Sequence, residues 1–167
     1  MPELDTIIKK SLADATPHTK KVYSQNPMTG EELVEFANSR AGLALAATVR
    51  PDQKPHLSPI DVNIVDGRIY VGIDEGTARL RNLKFNPSIN IMVAEGWKRQ
   101  AIIEGETSLL DVKDPKAAGV LEAQKKKYGW TTQLLAEVLP RKIFTYKSPP
   151  KAAEKSFKMN PFSLSVT

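Results

Sequence analysis

Asp66-Gly67 joins two runs rich in β-branched residues, PHLSPIDVNIV and RIYVGI. A tight turn of this composition forces its flanks into an antiparallel hairpin, because both central residues take φ values that side chains other than Asn, Asp and Gly resist. The constraint propagates in both directions. GLALAATVR before it and SINIMVAE, QAIIEGETSLLD and RKIFTYK after it read as further strands. Pro51-Asp52 supplies turn chemistry between the first two, and Pro59 marks an edge or a bulge in the second. GLALAATVR, apolar throughout, is expected to be buried on both faces. Six strands with mostly tight connections and few, peripheral helices predict a mainly β fold, a closed or nearly closed six-stranded antiparallel barrel.

The helices are marked by their caps. Thr29 with Glu32 forms a capping box ahead of EELVEFANSR, whose Leu33, Val34, Phe36 and Ala37 face inward. Asp114-Pro115 starts a helix ending near Tyr128, with Gly129 as its stop. A helix over 3–13 is expected, followed by a loop through Thr16-Pro17 and Asn26-Pro27, and a short helix over 131–138. The chain divides into a polar leader (1–28), the barrel domain (29–147) and a basic, proline-broken tail or arm (148–167).

At 167 residues the chain supports one core, burying roughly 70% of its extended surface. It has no cysteine, which removes disulfides, thiolate metal sites and thiol nucleophiles, and two histidines make a catalytic zinc site improbable. The lysine-rich N-terminus lacks a signal peptide's apolar stretch, and AGLALAATV is too short to span a bilayer. A cytoplasmic protein without a membrane partner is expected. A net charge of +5 suits nucleic acid, an anionic surface or a phosphate-bearing small molecule without choosing among them.

GTARLRNLKFNP (76–87) narrows the choice. Thr77 is a plausible N-cap, Leu80 and Leu83 form a buried pair, and Asn86-Pro87 ends the helix. Gly76 permits a tight turn. Arg79 and Asn82 share a face above the unpaired N–H groups of the first turn, the elements of a phosphate site. Surface cations on an ordinary helix are the competing explanation. KKKYGW (125–130) mixes cations with aromatics, but a helix C-terminus accounts for its lysines. Glu104 and Glu106 read as solvated carboxylates.

The order Gly76-Thr77-Ala78-Arg79, Asn86-Pro87, Ile89-Asn90-Ile91, Arg99-Gln100 and Gly105-Glu106-Thr107-Ser108-Leu109, preceded by the hairpin LALAATVRPDQKPHLSPI, resembles the FMN-binding split-barrel family that includes pyridoxamine 5′-phosphate oxidase. The resemblance covers about 29–147. It implies a homodimer with FMN at the subunit interface and flavin-mediated oxidoreductase activity on a small substrate. It assigns Arg79 to the phosphate, with Arg81 as a second candidate. Thr77 and Asn82 would lie near the phosphate and ribityl chain. Ser58, Pro59, Ile60 and Asp61 would run beside the ring, with Ile73 close by and Gln100 reaching it from the fifth strand. No side chain is implied as a general acid or base.

The oxidase itself has a lysine where this chain has Asn63, a Trp- and Arg-bearing C-terminus where this chain reads KMNPFSLSVT, and a cation where Ala78 stands. A divergent member, not the oxidase proper, is expected. Members of the family take FMN, a deazaflavin or haem, and haem would need His18 or His56 as its ligand. A deazaflavin-dependent reductase and a non-catalytic flavin-binding protein are the nearer alternatives. A basic nucleic-acid-binding barrel, with Arg79, Arg81, Lys84 and the 125–127 lysines in one stripe, is the remote one.

Overall fold

A computed structural model describes residues 2–149. Three helices, α1 (Pro2–Ala13), α2 (Pro17–Tyr23) and α3 (Gly30–Asn38), precede the strands β1 (Leu43–Val49), β2 (Pro55–Pro59), β3 (Val62–Val65) and β4 (Arg68–Ile73). Helix α4 (Ala78–Phe85) then leads to β5 (Ser88–Glu95) and β6 (Arg99–Asp111), and a 3-10 turn (Pro115–Ala117) with α5 (Ala118–Tyr128) leads to β7 (Leu134–Lys147). All pairings are antiparallel, in the order β2-β1-β5-β6-β7-β4-β3.

The two ends of that order are consecutive in sequence. Only Ile60 and Asp61 separate β2 from β3, so Pro59 and Val62 are three steps apart and at most ~11 Å from each other. The sheet therefore curls until its edges approach, without a hydrogen-bonded ladder between them. The mainly β fold agrees with a split barrel, with seven strands in place of the expected six. The extra one arises where Pro59 ends the pairing with β1 and the chain crosses the split.

Local signals decide most boundaries. Asp66 and Gly67 take positive φ at the hairpin, and the Thr29–Glu32 capping box is complete. Three expectations fail. Residues 134–138 belong to β7, not to a helix. Leu135 and Ala136 pair with Gly72 and Val71 on one side and with Leu110 and Leu109 on the other, so the long β6 imposes its extended form on a helix-compatible sequence. The loop through Thr16-Pro17 is α2 instead: Thr16 accepts from the Thr19 N–H and Pro17 occupies the first turn. β1 is also buried on one face only, with Ala44, Ala46 and Thr48 inward and Leu43 outward.

One continuous core holds Phe36, Ile69, Ile91, Ile103 and Ile143 together with Leu4 and Ile8 of α1. The leader is thus packed into the barrel; Ser11 Oγ accepts the Ile143 N–H at 2.8 Å. Edge strand β3 is covered from α3, where Asn38 donates to Ile64 O and accepts from Ile64 N, both at 2.8 Å. No helix of the described residues is long and apolar enough to cross a membrane.

Candidate functional site

The split is where the chemistry gathers. Helix α4 begins after Gly76 (φ +76°), and Thr77 Oγ1 both accepts from Leu80 N and donates to Asp74 O. Leu80 and Leu83 anchor the helix as expected, while Arg81 and Lys84 stay in solvent. The Arg79 side chain lies across the split. Its guanidinium donates to Ser58 Oγ at 2.9 Å, to Pro59 O and to Gly72 O at 3.3 Å, joining β2 to β4. Its Nε is buried and has no partner among the described residues. Burial lowers its pKa, opposed by the charges of Asp61 and Asp74. The expected phosphate cation and the strand expected beside the ring therefore meet in one place.

Several of the expected site residues have other engagements. Ile60 N–H donates to Ala44 O and Pro59 O receives Arg79, so those backbone groups are already used. Ile73 is fully buried in the core. Asn82 is fully buried too, and its amide donates to Thr48 Oγ1 at 3.0 Å rather than sharing a surface with Arg79. Its Oδ1, like His56 Nδ1 on β2, has no partner among the described residues. Gln100 lies three strands from β2, where it donates to Gly96 O and lines a separate cavity with Trp97 and Tyr146.

Asp61 turns inward at the split and is 8% exposed. Gln124 of α5 donates to its Oδ2 at 2.6 Å, and the same amide nitrogen donates to Thr132 Oγ1 at 3.2 Å. Thr132 N–H returns a bond to Gln124 Oε1 at 3.2 Å. Burial raises the pKa of Asp61; the Gln124 hydrogen bond and the Arg79 and Lys127 charges oppose the shift. Gly72 makes room for this network, since a Cβ there would stand 2.3 Å from Thr132 Cγ2 and 2.4 Å from Asp61 Oδ1. Sequence reading had no means of finding Gln124 or Thr132, whose polarity is ordinary for a helix face and a loop.

Lys127 is likewise turned in. Its ammonium donates to Ala37 O at 2.6 Å and Val62 O at 3.0 Å, and burial pushes its pKa down to about 8. Gly129, at φ 83°, ends α5 as expected, its N–H bonded to Lys125 O. With Arg79 and Lys127 committed to internal acceptors, the cations of the supposed nucleic-acid stripe do not form one solvated row. Glu104 and Glu106 are paired with Lys142 and Arg141. Among the described residues there is no cluster of His, Asp and Glu able to hold a metal ion. His18 is exposed on α2, and the C-terminal arm lies outside the described residues apart from Ser148 and Pro149.

No curated protein matches this sequence. Among solved structures, a conserved hypothetical protein from Mycobacterium tuberculosis is similar over 87% of this chain and 98% of its own, with 17% identity and a TM-score of 0.62. HutZ, the haem storage protein from Vibrio cholerae, matches over 68% and 92% with 20% identity and a TM-score of 0.56. An F420 reductase matches over 65% and 93% with 19% identity and a TM-score of 0.52. At such identities these likenesses show a shared fold. The family described as pyridoxamine 5′-phosphate oxidase matches residues 29–162, most of the chain. Taken with the seven-stranded split sheet and the Arg79 helix at its opening, that match makes the chain a divergent member of the pyridoxamine 5′-phosphate oxidase-like family.

Proposed function

We propose that the chain is an FMN-binding oxidoreductase, active as a homodimer with the cofactor at the subunit interface. The observation that carries the reading is Arg79. It is a half-buried cation at a helix start, with an unpaired Nε, lying on the Ser58–Pro59 segment at the barrel's split. An orphaned guanidinium N–H beside a helix N-terminus fits a phosphate, which would accept from both. Thr77 holds that terminus in place, and Arg81 supplies a second, solvated cation. When bound, the flavin supplies reversible hydride and electron acceptance; the protein positions it and excludes solvent.

The homodimer has its own support. Leu43, Leu57 and Met92 are 62%, 64% and 36% exposed on one face of β1, β2 and β5, where strand register also places Leu45 and Pro59. A contiguous apolar sheet face of this kind favours association. Gln100 lies on that same face, three strands from Ser58, so contact with one flavin from both places is natural if two subunits contribute.

Titration of the full chain with FMN, followed by quenching of flavin fluorescence, tests the reading. Arg79→Ala should weaken binding ~10–150-fold, equivalent to losing about 1.5–3 kcal/mol of charge-assisted hydrogen bonding. Arg79→Lys, which keeps the charge, should lose less. Circular dichroism controls for folding, because Arg79 also ties β2 to β4. Unchanged FMN affinity in folded Arg79→Ala overturns the phosphate assignment. Reduction of bound flavin by NADPH or another donor separates an oxidoreductase from a binding protein, and preference for a deazaflavin over FMN would move the cofactor but not the site.

A further inference from the structure

Outside the split, a cavity lies between α2 and the β5–β6 turn. Its volume is about 450 Å³. Tyr146 and Gln100, paired across β6 and β7, form its floor. Val22 and Tyr23 of α2 form one wall, and Trp97, 80% exposed, forms the other. Gln25 adds a second amide, and among the described residues no charged side chain lines it.

Both walls are fixed. Tyr23 packs on Phe144 with ring centroids 5.5 Å apart. Asn26 Nδ2 donates to Lys147 O at 2.6 Å, and Lys147 N–H donates to Asn26 O at 3.0 Å. Across the cavity, Ser148 Oγ donates to Trp97 O at 2.8 Å and Ser148 N–H to Lys98 O at 2.7 Å. Gln100 Nε2 donates to Gly96 O at 3.1 Å, which leaves its second N–H available. The nearby cation Arg99 is neutralised by Glu95 and lies over the Phe36 ring. The turn thus presents a large aromatic ring to solvent from a pinned backbone.

We propose that this cavity binds a flat, neutral aromatic compound carrying a hydrogen-bond acceptor, and that it holds the substrate of the oxidoreductase. The second clause rests on the flavin reading; the first does not. Aromatic walls favour stacking, the uncharged lining favours a neutral ring, and the Gln25 amide, with Gln100 given to the flavin, favours a carbonyl-type acceptor. The volume lies within the ~300–1,000 Å³ usual for small-molecule sites. Register puts Tyr146, Gln100, Ala94 and Leu43 in one row, so the cavity opens on the apolar face proposed as the subunit interface. Helix α2, which supplies one wall, precedes residue 29, where the family match begins.

The test uses the full chain with Trp130→Phe, which leaves Trp97 as the sole tryptophan, and prodan, a neutral naphthyl ketone whose fluorescence responds to apolar surroundings. Saturable binding with energy transfer from Trp97 is expected. Trp97→Leu, tested by prodan emission alone, and Val22→Asp, an exposed position, should each weaken binding about tenfold or more while leaving FMN affinity unchanged. Absence of saturable binding, or indifference to both substitutions, overturns the site. A drop in dimer mass on Trp97→Leu without loss of prodan also overturns it, because the ring then serves contact between copies. Prodan binding without FMN binding upholds the site and overturns its role as the substrate pocket.

Discussion

Gly72→Ala probes how tightly the split is built. The added methyl group would lie 2.3 Å from Thr132 Cγ2 and 2.4 and 2.6 Å from the two Asp61 oxygens, all inside contact distance. Neither neighbour retreats freely. Thr132 is 6% exposed and bonded to Gln124, and Asp61 cannot turn away without breaking its 2.6 Å bond from the same amide. Overpacking costs about 1–3 kcal/mol. Weakening a hydrogen bond to a charged group adds up to about 1.5–3 kcal/mol. Together these give about 1–6 kcal/mol, which corresponds to a melting temperature roughly 2–24 °C lower for a chain of this length. Thr132→Ser deletes the nearest atom and keeps the hydroxyl, so in the double variant at least about 0.5 kcal/mol should return relative to the sum of the single changes. Differential scanning calorimetry of the four proteins measures both quantities. A Gly72→Ala variant melting with the wild type, or no recovery in the double variant, refutes the packing argument.

Asp61 gives a signed pH dependence. Burial raises its folded pKa above the ordinary value of 3.8, so the folded state holds its proton longer than the unfolded state. Its burial therefore costs nothing below pH 3.8 and progressively more as pH rises through the folded pKa. Asp61→Asn, which can still accept from Gln124, should gain stability relative to wild type as pH rises over that window in urea titrations; a flat or opposite difference would sink the assignment. At the β3 edge, Asn38→Ala removes two 2.8 Å bonds to Ile64 and should cost about 1–3 kcal/mol, read from the urea midpoint. A loss within error would show that water replaces the side chain there.

Chain-local chemistry explains what the sequence revealed. Asp66-Gly67, the Thr29–Glu32 box, the Thr77 cap and the Leu80/Leu83 pair all act within a few residues, so composition and spacing expose them. Residues 134–138 were misleading because their apolar spacing suits a helix, and only the partner strands β4 and β6 make them extended. Pro17 was likewise legible as a breaker or as a first-turn residue, and Thr16 decided between them. The site divides in the same way. Arg79 and Ser58–Pro59 could be picked out from motif order, but the bonds between them, 20 and 21 residues apart, could not. Gln124 reaches Asp61 across 63 residues. Helix periodicity and the family resemblance both put Asn82 near an anion, yet Thr48, 34 residues away, claims its amide.

Sedimentation velocity of the FMN-loaded protein, recorded at a flavin absorbance, tests the central claim most directly. The account predicts flavin moving with a species of twice the 18.5 kDa chain mass, and Arg79→Ala releasing it. Flavin sedimenting as free ligand beside a colourless protein would contradict the claim that the split of this barrel is a flavin nucleotide site.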